Sequence, residues 1–478
     1  MGSSHGCQWH AGPCHRKWRN VSRIHSRAAV GPAVGHQPPT VIRENTLTEI
    51  KLGIAGLGTV AQGVLALIRR NGALMAQRSG VTLRVVRIAS RREKPGVDLM
   101  GAQFSTDLDD LVSDPDVDVI LELIGGEGVA LDLIRRALAS NTPVVTANKA
   151  VLAAHGNELM SGPGKQQLRF EASVAGAIPI IQGMSGGLAA NRLDSLFGII
   201  NGTCNYIFGE MESNGTPFDE VLAEAQRLGY AEADPSFDID GVDAAHKLTI
   251  LLALGFTGEY DLSAVHIEGI RHVTVADIQF AKELGYKIKH LGIIQNTAAG
   301  VEARVHCALV PSNALLANVN GVMNAVQIIS DGAGETLFSG PGAGGEATAS
   351  AVLSDALALG KQFSTGNGIG VDTQASETTQ APSPAILPMA EVTSANYLRI
   401  PTLDQPGVFA QVTQALSEFS ISIDAAIQHE ASASQPVVDI VLLTNNVVES
   451  AMNAALERLQ GLDIVAADIV RLRVAPAL

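Results

Sequence analysis

Residues Ile50–Ile68 read IKLGIAGLGTVAQGVLALI, an apolar run that meets a pair of glycines and then changes to helical spacing. Gly56, Gly58 and Ala61 form G-x-G-x-x-A. In that pattern the first glycine makes the tight turn, the second lets the backbone approach a pyrophosphate, and the small third residue packs helix on strand. Alone, such a match is a weak signal. A predicted strand before it and a predicted helix after it make this a dinucleotide-binding turn opening a parallel α/β sheet.

Working outward, the next strand, LRVVRIASRREK (83–94), ends on Ser90, Arg91 and Arg92 instead of the acid that would hold a ribose 2′-hydroxyl. Cations there favour a 2′-phosphate, so NADP(H) is the expected cofactor with NAD(H) as the alternative; the bland reading is a solvated arginine loop. VDVILELIGG (117–126) and TPVVTANKAVLA (142–153) read as two further parallel strands, each with a turn and a helix after it. Lys149 falls just past the second, at the carboxyl edge where ligands of open α/β sheets bind.

The stretch GYAEADPSFDIDGVDAAHK (229–247) packs Glu232, Asp234, Asp238, Asp240 and Asp243 into a short run that ends on Lys247. A helix starting after Gly241 puts Asp243 and Lys247 at i and i+4, on one face. Aligned as a calcium loop, Ser236, Asp238, Asp240 and Gly241 fall into place, but Lys247 stands where the closing glutamate belongs, which excludes calcium. Two readings stay open on residue types alone. One is helix capping with an idle surface pair; the other is a site where carboxylates hold a small amino acid's ammonium while Lys247 exchanges a proton with a substrate oxygen.

Beyond these motifs, RFEASVAGAIPII (169–181) and LDSLFGIINGTCNYIFGEM (193–211) read as strands interleaved with helices. VEARVHCALVP (301–311) and ANVNGVMNAVQIIS (317–330) read as the remaining strands of a second sheet. GPGAGGEATASAVLSDALALG (340–360) is a glycine turn opening a helix that returns to the nucleotide domain. Residues 363–388 have the Gly/Ser/Thr/Pro composition of a linker. From Asn396 the order is β-α-β-β-α-β, the ferredoxin-like arrangement, expected as a compact unit of its own.

Residues 1–46 are rich in arginine, poor in acid and without apolar periodicity; they are read as a disordered extension. Cys7, Cys14, His5, His10 and His15 match no zinc spacing. The Arg-rich start is similar to a transit peptide but lacks a clean amphipathic helix, so a cloning remnant or an over-extended start is an equal reading.

The 478 residues call for two to four domains, and 46% hydrophobic with 17% charged residues gives ample core. A net charge of −15 argues against nucleic acid or an anionic membrane as partner. No uncharged apolar run approaches the roughly 18 residues of a membrane span. Four scattered cysteines fit a reducing compartment, and a cytoplasmic location is expected.

Taken together and in order, GLGTVAQGV, TANK, EASVAGAIPII, IINGTCNYI, GYAEADPSFDIDGVDAAHK, GPGAGGEATASAV and the D-Q-P-G-V at 404–408 resemble the homoserine dehydrogenase family with a carboxyl-terminal ACT domain, from about Leu52 to the end. The resemblance implies reversible, nicotinamide-dependent interconversion of L-aspartate 4-semialdehyde and L-homoserine, on the route to threonine, isoleucine and methionine. By motif it makes Lys247 the proton donor and Lys149 a catalytic lysine touching cofactor and substrate. Glu232, Asp238 and Asp243 would hold the substrate's amino end. Cofactor contacts would come from Gly56, Leu57, Gly58, Thr59, Val60, Arg91, Arg92, Gly125, Lys149 and Gly342. A sodium or potassium ion would sit on Glu171, Val174, Gly176 and Ile178, although AGAIP is less glycine-rich than the family's loop. Threonine would bind as effector near Asp404 and Gly407, in a homodimer or homotetramer; the bland alternative for this unit is dimerisation alone.

The expected architecture is therefore α/β. It comprises an extension (1–46), a Rossmann-type nucleotide-binding domain (47–150), an α+β catalytic and dimerisation domain (151–340), a return to the nucleotide domain (341–362), a linker (363–388) and a ferredoxin-like ACT domain (389–478). Two rivals are weighed. A phosphorylating semialdehyde dehydrogenase needs a cysteine nucleophile with a basic neighbour, and Cys204 is the one candidate. A non-catalytic nucleotide sensor would not need Lys149, Asp243 and Lys247. No kinase-sized segment precedes the fingerprint, so fusion to aspartate kinase is not expected.

Overall fold

A computed structural model describes residues 47–364, 384–429 and 437–476. The extension expected at 1–46 and most of the linker expected at 363–388 lie outside these residues.

The first sheet holds β1 (Thr48–Ala55), β2 (Val81–Ala89), β3 (Gln103–Ser105), β4 (Val119–Glu122), β5 (Val144–Thr146) and β6 (Leu168–Arg169). Their order is β3-β2-β1-β4-β5-β6, all parallel. Parallel strands are covered on both faces, which is why Leu52, Ile54, Val119, Ile120, Leu121, Val144 and Val145 are all fully buried. The order reverses between β1 and β4. That switch point opens a crevice at the strands' carboxyl ends, beside Gly56–Gly58 and Gly125. The sheet runs past the boundary expected at residue 150, because β6 pairs with β5 after the helix Lys149–Ser161.

The helix Gly345–Ser364 returns to this layer, its Ala349, Val352, Leu353, Ala356 and Leu359 sharing a core with Ile50, Leu52 and Ile54. Gly63 makes the approach possible: a Cβ there would lie 2.5 Å from the Gly345 carbonyl oxygen.

The second sheet starts with β7 (Leu193–Ile199), β8 (His266–Ile267), β9 (Tyr286–Thr297), β10 (Gly300–Pro311), β11 (Met323–Ser330) and β12 (Gly334–Pro341), and β13 (Thr393–Ser394) pairs apart from it with β17 (Val447–Val448). The terminal segment adds β14 (Asn396–Leu403), β15 (Ile423–Gln428), β16 (Val437–Thr444) and β18 (Val470–Val474). Within that segment β18-β14-β16-β15 is the ferredoxin-like order. It is not a separate unit, however. Ala308 and Leu309 of β10 pair in parallel with Arg473 and Val474 of β18, so one sheet runs β12-β11-β7-β9-β10-β18-β14-β16-β15. Cys307 and Leu309 from one side and Tyr397, Val441 and Leu472 from the other bury one common core. An edge strand satisfied by a neighbour's edge removes two rows of unpaired backbone groups at once.

The stretch 169–181, expected to contain strand, is mostly a buried irregular loop. Glu171–Ser173 is a 3-10 turn, and Ala175 and Gly176 have φ of 55° and 56°. Phe170, Val174, Ala175, Ile178, Ile180 and Ile181 are apolar because they are buried, and an apolar run without period reads the same as a strand.

Candidate active site

The helix Val242–Leu252 starts at Gly241, whose φ of 87° suits glycine. Its first turn carries Asp243 and its second Lys247, one above the other, with Lys247 Nζ 2.7 Å from Asp243 Oδ2. Lys247 also donates to the Ile200 carbonyl oxygen at 2.7 Å. On the other carboxylate oxygen, Lys149 Nζ lies 3.2 Å from Asp243 Oδ1. Burial alone would raise the Asp243 carboxyl, but the two ammonium groups and the donated hydrogen bonds outweigh it and hold it at about 2. One buried carboxylate thus ties a lysine of the second layer to a lysine at the edge of the nucleotide sheet.

Lys149 is set there by local chemistry. Asn148 caps its helix by accepting from the Val151 N–H and donates to the Gly126 carbonyl at 2.6 Å. Thr146 donates to the buried Glu122 at 2.6 Å, and Glu122 in turn accepts the Ile124 N–H at 2.9 Å. The Lys149 ammonium stands 5.4 Å from the Phe237 ring centroid, a cation–π contact.

Asp238 lies in the same pocket. Asn201 Nδ2 donates to Asp238 Oδ1 and to Asp243 Oδ2, each at 2.8 Å, and Thr203 Oγ1 stands 3.3 Å from Asp238 Oδ2. Burial and then the charge of Asp243 raise the Asp238 carboxyl. Glu232 is different: it is exposed, and its side chain makes no hydrogen bond or ion pair with this cluster or with other described residues.

The glycine turn fits a pyrophosphate. A Cβ on Gly56 would meet the Leu123 carbonyl oxygen at 2.8 Å, whereas nothing lies within 4 Å of one on Gly58. Gly58 is the N-cap of the helix Thr59–Ser79 and no side chain caps that end, as suits a helix start that receives an anion. Leu57 is buried, Val60 half-buried and Thr59 exposed. Gly125, with φ of 80°, faces the same crevice from the end of β4. Arg91 and Arg92 are exposed just past β2, without side-chain partners among the described residues. Gly342 is packed instead against Asn324, with a Cβ position only 2.0 Å from its Cγ.

The loop expected to hold a monovalent cation is built around Glu171. Its buried carboxylate accepts the N–H groups of Ile181 and Gln182 at 2.9 and 2.8 Å, and burial raises it. Val174 and Ile178 are buried, and a Cβ on Gly176 would lie 2.6 Å from the Gly342 carbonyl carbon. Among the described residues no three His, Cys, Asp or Glu side chains group as they would for a multivalent metal. One carboxylate and neutral carbonyls are the donor types a singly charged ion takes; in this loop both Glu171 oxygens already accept backbone N–H groups and the Ile178 carbonyl accepts the Ile180 N–H.

At the terminal unit, Asp404 is exposed in the turn, and Gly407, with φ of 89°, caps the helix Val408–Ser417. No helix among the described residues is long and apolar enough to cross a membrane.

Family models match three successive parts of the chain: the homoserine dehydrogenase NAD-binding domain at residues 56–171, homoserine dehydrogenase at 179–357 and the ACT domain at 397–463. A homoserine dehydrogenase of Pseudomonas aeruginosa is 44% identical over 427 residues, covering 89% of this chain and 98% of that protein. This chain belongs to the homoserine dehydrogenase family. It is accordingly an oxidoreductase with a nicotinamide-cofactor-binding domain, a catalytic domain and an ACT domain. The crystal structure of a homoserine dehydrogenase from Thiobacillus denitrificans superposes with a TM-score of 0.84 at 44% identity, over 89% of this chain and 98% of that one. A hyperthermophilic archaeal homoserine dehydrogenase in complex with NADPH matches with a TM-score of 0.55 at 26% identity, over 65% of this chain and 97% of that one.

Against the cysteine-nucleophile rival stands Cys204 itself. It is fully buried and donates to the Asp238 carbonyl, and burial followed by the Asp238 charge pushes its thiol well up, away from the reactive thiolate. Sequence reasoning missed Asn201 and Glu122. The signals were there: an asparagine one residue before a helix start, and a single acid inside the apolar run VILEL.

Proposed function

We propose that the chain interconverts L-aspartate 4-semialdehyde and L-homoserine with NADP(H), serving threonine, isoleucine and methionine synthesis in the cytoplasm. The observation that carries this reading is the Lys247–Asp243–Lys149 array at the mouth of the nucleotide crevice. When bound, the nicotinamide supplies or accepts the hydride. In the reducing direction negative charge grows on the aldehyde oxygen, and the Lys247 ammonium stabilises it and gives up a proton to it. In the oxidising direction Lys247 takes the hydroxyl proton as C–H hydride leaves. Asp243 orients both lysines and, with Asp238, forms the acidic wall for the substrate's ammonium. Lys149 reaches substrate and cofactor from the nucleotide side.

Gly56, Leu57, Gly58, Thr59, Val60 and Gly125 would hold the pyrophosphate side, Gly342 the nicotinamide side, and Arg91 with Arg92 a 2′-phosphate. NADPH in the archaeal relative supports the last point. Glu171 with the carbonyls of Val174, Gly176 and Ile178 would hold a monovalent cation that stiffens the loop against Pro341–Gly342. The ACT unit would bind threonine near Asp404 and Gly407 in a homodimer or homotetramer, and feed back on the reaction.

The test is spectrophotometric: L-homoserine with NADP+ or NAD+, for the wild type and for Arg91→Ala combined with Arg92→Ala. NADP+ should lead by at least about tenfold in kcat/KM, about 1.4 kcal/mol, and the double variant should lose that lead. No turnover with either nucleotide sinks the enzymatic reading; an equal or better rate with NAD+ sinks the 2′-phosphate reading.

A further inference from the structure

Asp238 and Asp243 place like charge in one pocket, and a single side chain joins them. Asn201, buried just after β7, gives its amide nitrogen to Asp238 Oδ1 and Asp243 Oδ2 at 2.8 Å each. Its amide oxygen accepts the Cys204 N–H at 2.9 Å and thereby caps the helix Gly202–Asn214. The orientation follows from chemistry. A flipped amide would set its NH2 against the Cys204 N–H and its oxygen against two carboxylates, losing every bond. Both amide hydrogens are therefore committed to the two acids.

We propose that Asn201 is a positioning residue for the reaction, holding Asp238 and Asp243 as a pair of ionised acceptors for the substrate's ammonium and keeping Asp243 in place while Lys247 exchanges its proton. This rests on the dehydrogenase reading above. Asp243 Oδ2 is shared between Asn201 and the Lys247 ammonium. When Lys247 is neutral, that oxygen loses its charged donor, whereas the Asn201 donor is the same in both states. Asp238 needs the bond for a second reason, since burial and the neighbouring acid both disfavour its charge and the Asn201 bond, followed by the Lys247 charge, opposes them.

The charged and titratable groups facing the pair are few. Asp238 is faced by Asp243 and Lys247 from one helix and by Cys204 from another. Asp243 is faced by Lys247, by Lys149 from the nucleotide layer, by His246 on its own helix and by His290 from β9. Burial keeps both histidines below their ordinary range, His290 at about 4. Both are therefore harder to protonate beside the pair than a free imidazole.

Two variants separate positioning from capping. Asn201→Ser and Asn201→Asp both retain an oxygen of good N-cap type and both lose the amide donors, and the second adds a third carboxylate. For each we expect wild-type circular dichroism and cofactor Kd and a homoserine KM raised by about tenfold or more. The acid limb of kcat/KM should move to higher pH by about half a unit or more, further for Asn201→Asp. A residue that only caps a helix would not move that limb. If either folded variant keeps wild-type KM and pH profile, the proposal is overturned. If neither folds, Asn201 is a structural cap and the proposal is likewise overturned. Wild-type protein inactive on homoserine would defeat the dehydrogenase reading itself, a distinct outcome from an active wild type with indifferent variants.

Discussion

Asp243→Asn removes the charge at the centre of the site with little change of shape. The ordinary aspartate value of 3.8 is lowered to about 2 although the group is buried. At about 1.4 kcal/mol per pKa unit, the site favours the ionised carboxylate by roughly 2 to 3 kcal/mol net of its desolvation. The variant also leaves Lys247, with 12% of its side chain exposed, and the half-buried Lys149 without an anion between them. Breaking a buried pair costs about 3 to 5 kcal/mol, so a loss of about 3 kcal/mol or more is expected. The folded-state value lies below the unfolded one, so this stabilisation is present above about pH 4 and is lost only as pH falls toward 2. Urea unfolding at several pH values is the assay. The gap between wild type and variant should be flat from pH 5 to pH 8, with kcat/KM for homoserine lower by about 10² or more. A variant that unfolds with the wild type, or a gap that changes severalfold across that window, refutes the reasoning.

Other expectations follow from buried charge elsewhere. Burial pushes Asp355 up to about 7, above its unfolded value, so its contribution is favourable at low pH and is lost as pH rises through 7. Asp355→Asn should therefore gain on the wild type by roughly 2 to 3 kcal/mol between pH 5 and pH 8, read as the shift in urea midpoint. At the junction of the ACT unit, Arg473 of β18 pairs with Glu268 at 2.8 Å and with Glu449 at 2.6 Å. Arg473→Met should cost about 3 to 5 kcal/mol at pH 7 and speed amide exchange in β10 and β18, and adding Glu268→Gln should recover part of it. Because a Cβ on Gly269 would lie 2.5 Å from the Ile239 carbonyl, just ahead of the Asp243 helix, the same Arg473 variant should weaken any effector response. Inhibition curves with threonine before and after the change measure this.

Four strands of the first sheet, β1, β2, β4 and β5, were legible because their signals were local: a glycine turn between strand and helix, and apolar runs at regular intervals; β3 and β6, of three and two residues, are too short to carry a pattern. The Asp243–Lys247 pair was legible for the same reason, since i,i+4 spacing is a property of the helix and not of the fold. What escaped reading was set by tertiary contact. The 169–181 segment is apolar because it is enclosed by the 341–342 turn and the returning helix, and no periodicity distinguishes that from a strand. The ACT unit has the pattern of a free-standing domain, and only the β10–β18 pairing shows that its sheet is continuous with the catalytic one. Asn201 carries an ordinary capping signal; its reach to two acids 37 and 42 residues away is a fact of packing. Glu232, from the same acidic run as Asp238 and Asp243, is exposed and unpaired, because that run turns outward before the short helix Ser236–Ile239.

The most direct measurement is turnover of homoserine by Lys247→Ala beside a titration of its cofactor affinity. The account predicts kcat lower by about 10³ or more with cofactor Kd within about twofold of wild type, since only the proton-exchanging ammonium is gone. Near-normal turnover in that variant would contradict it.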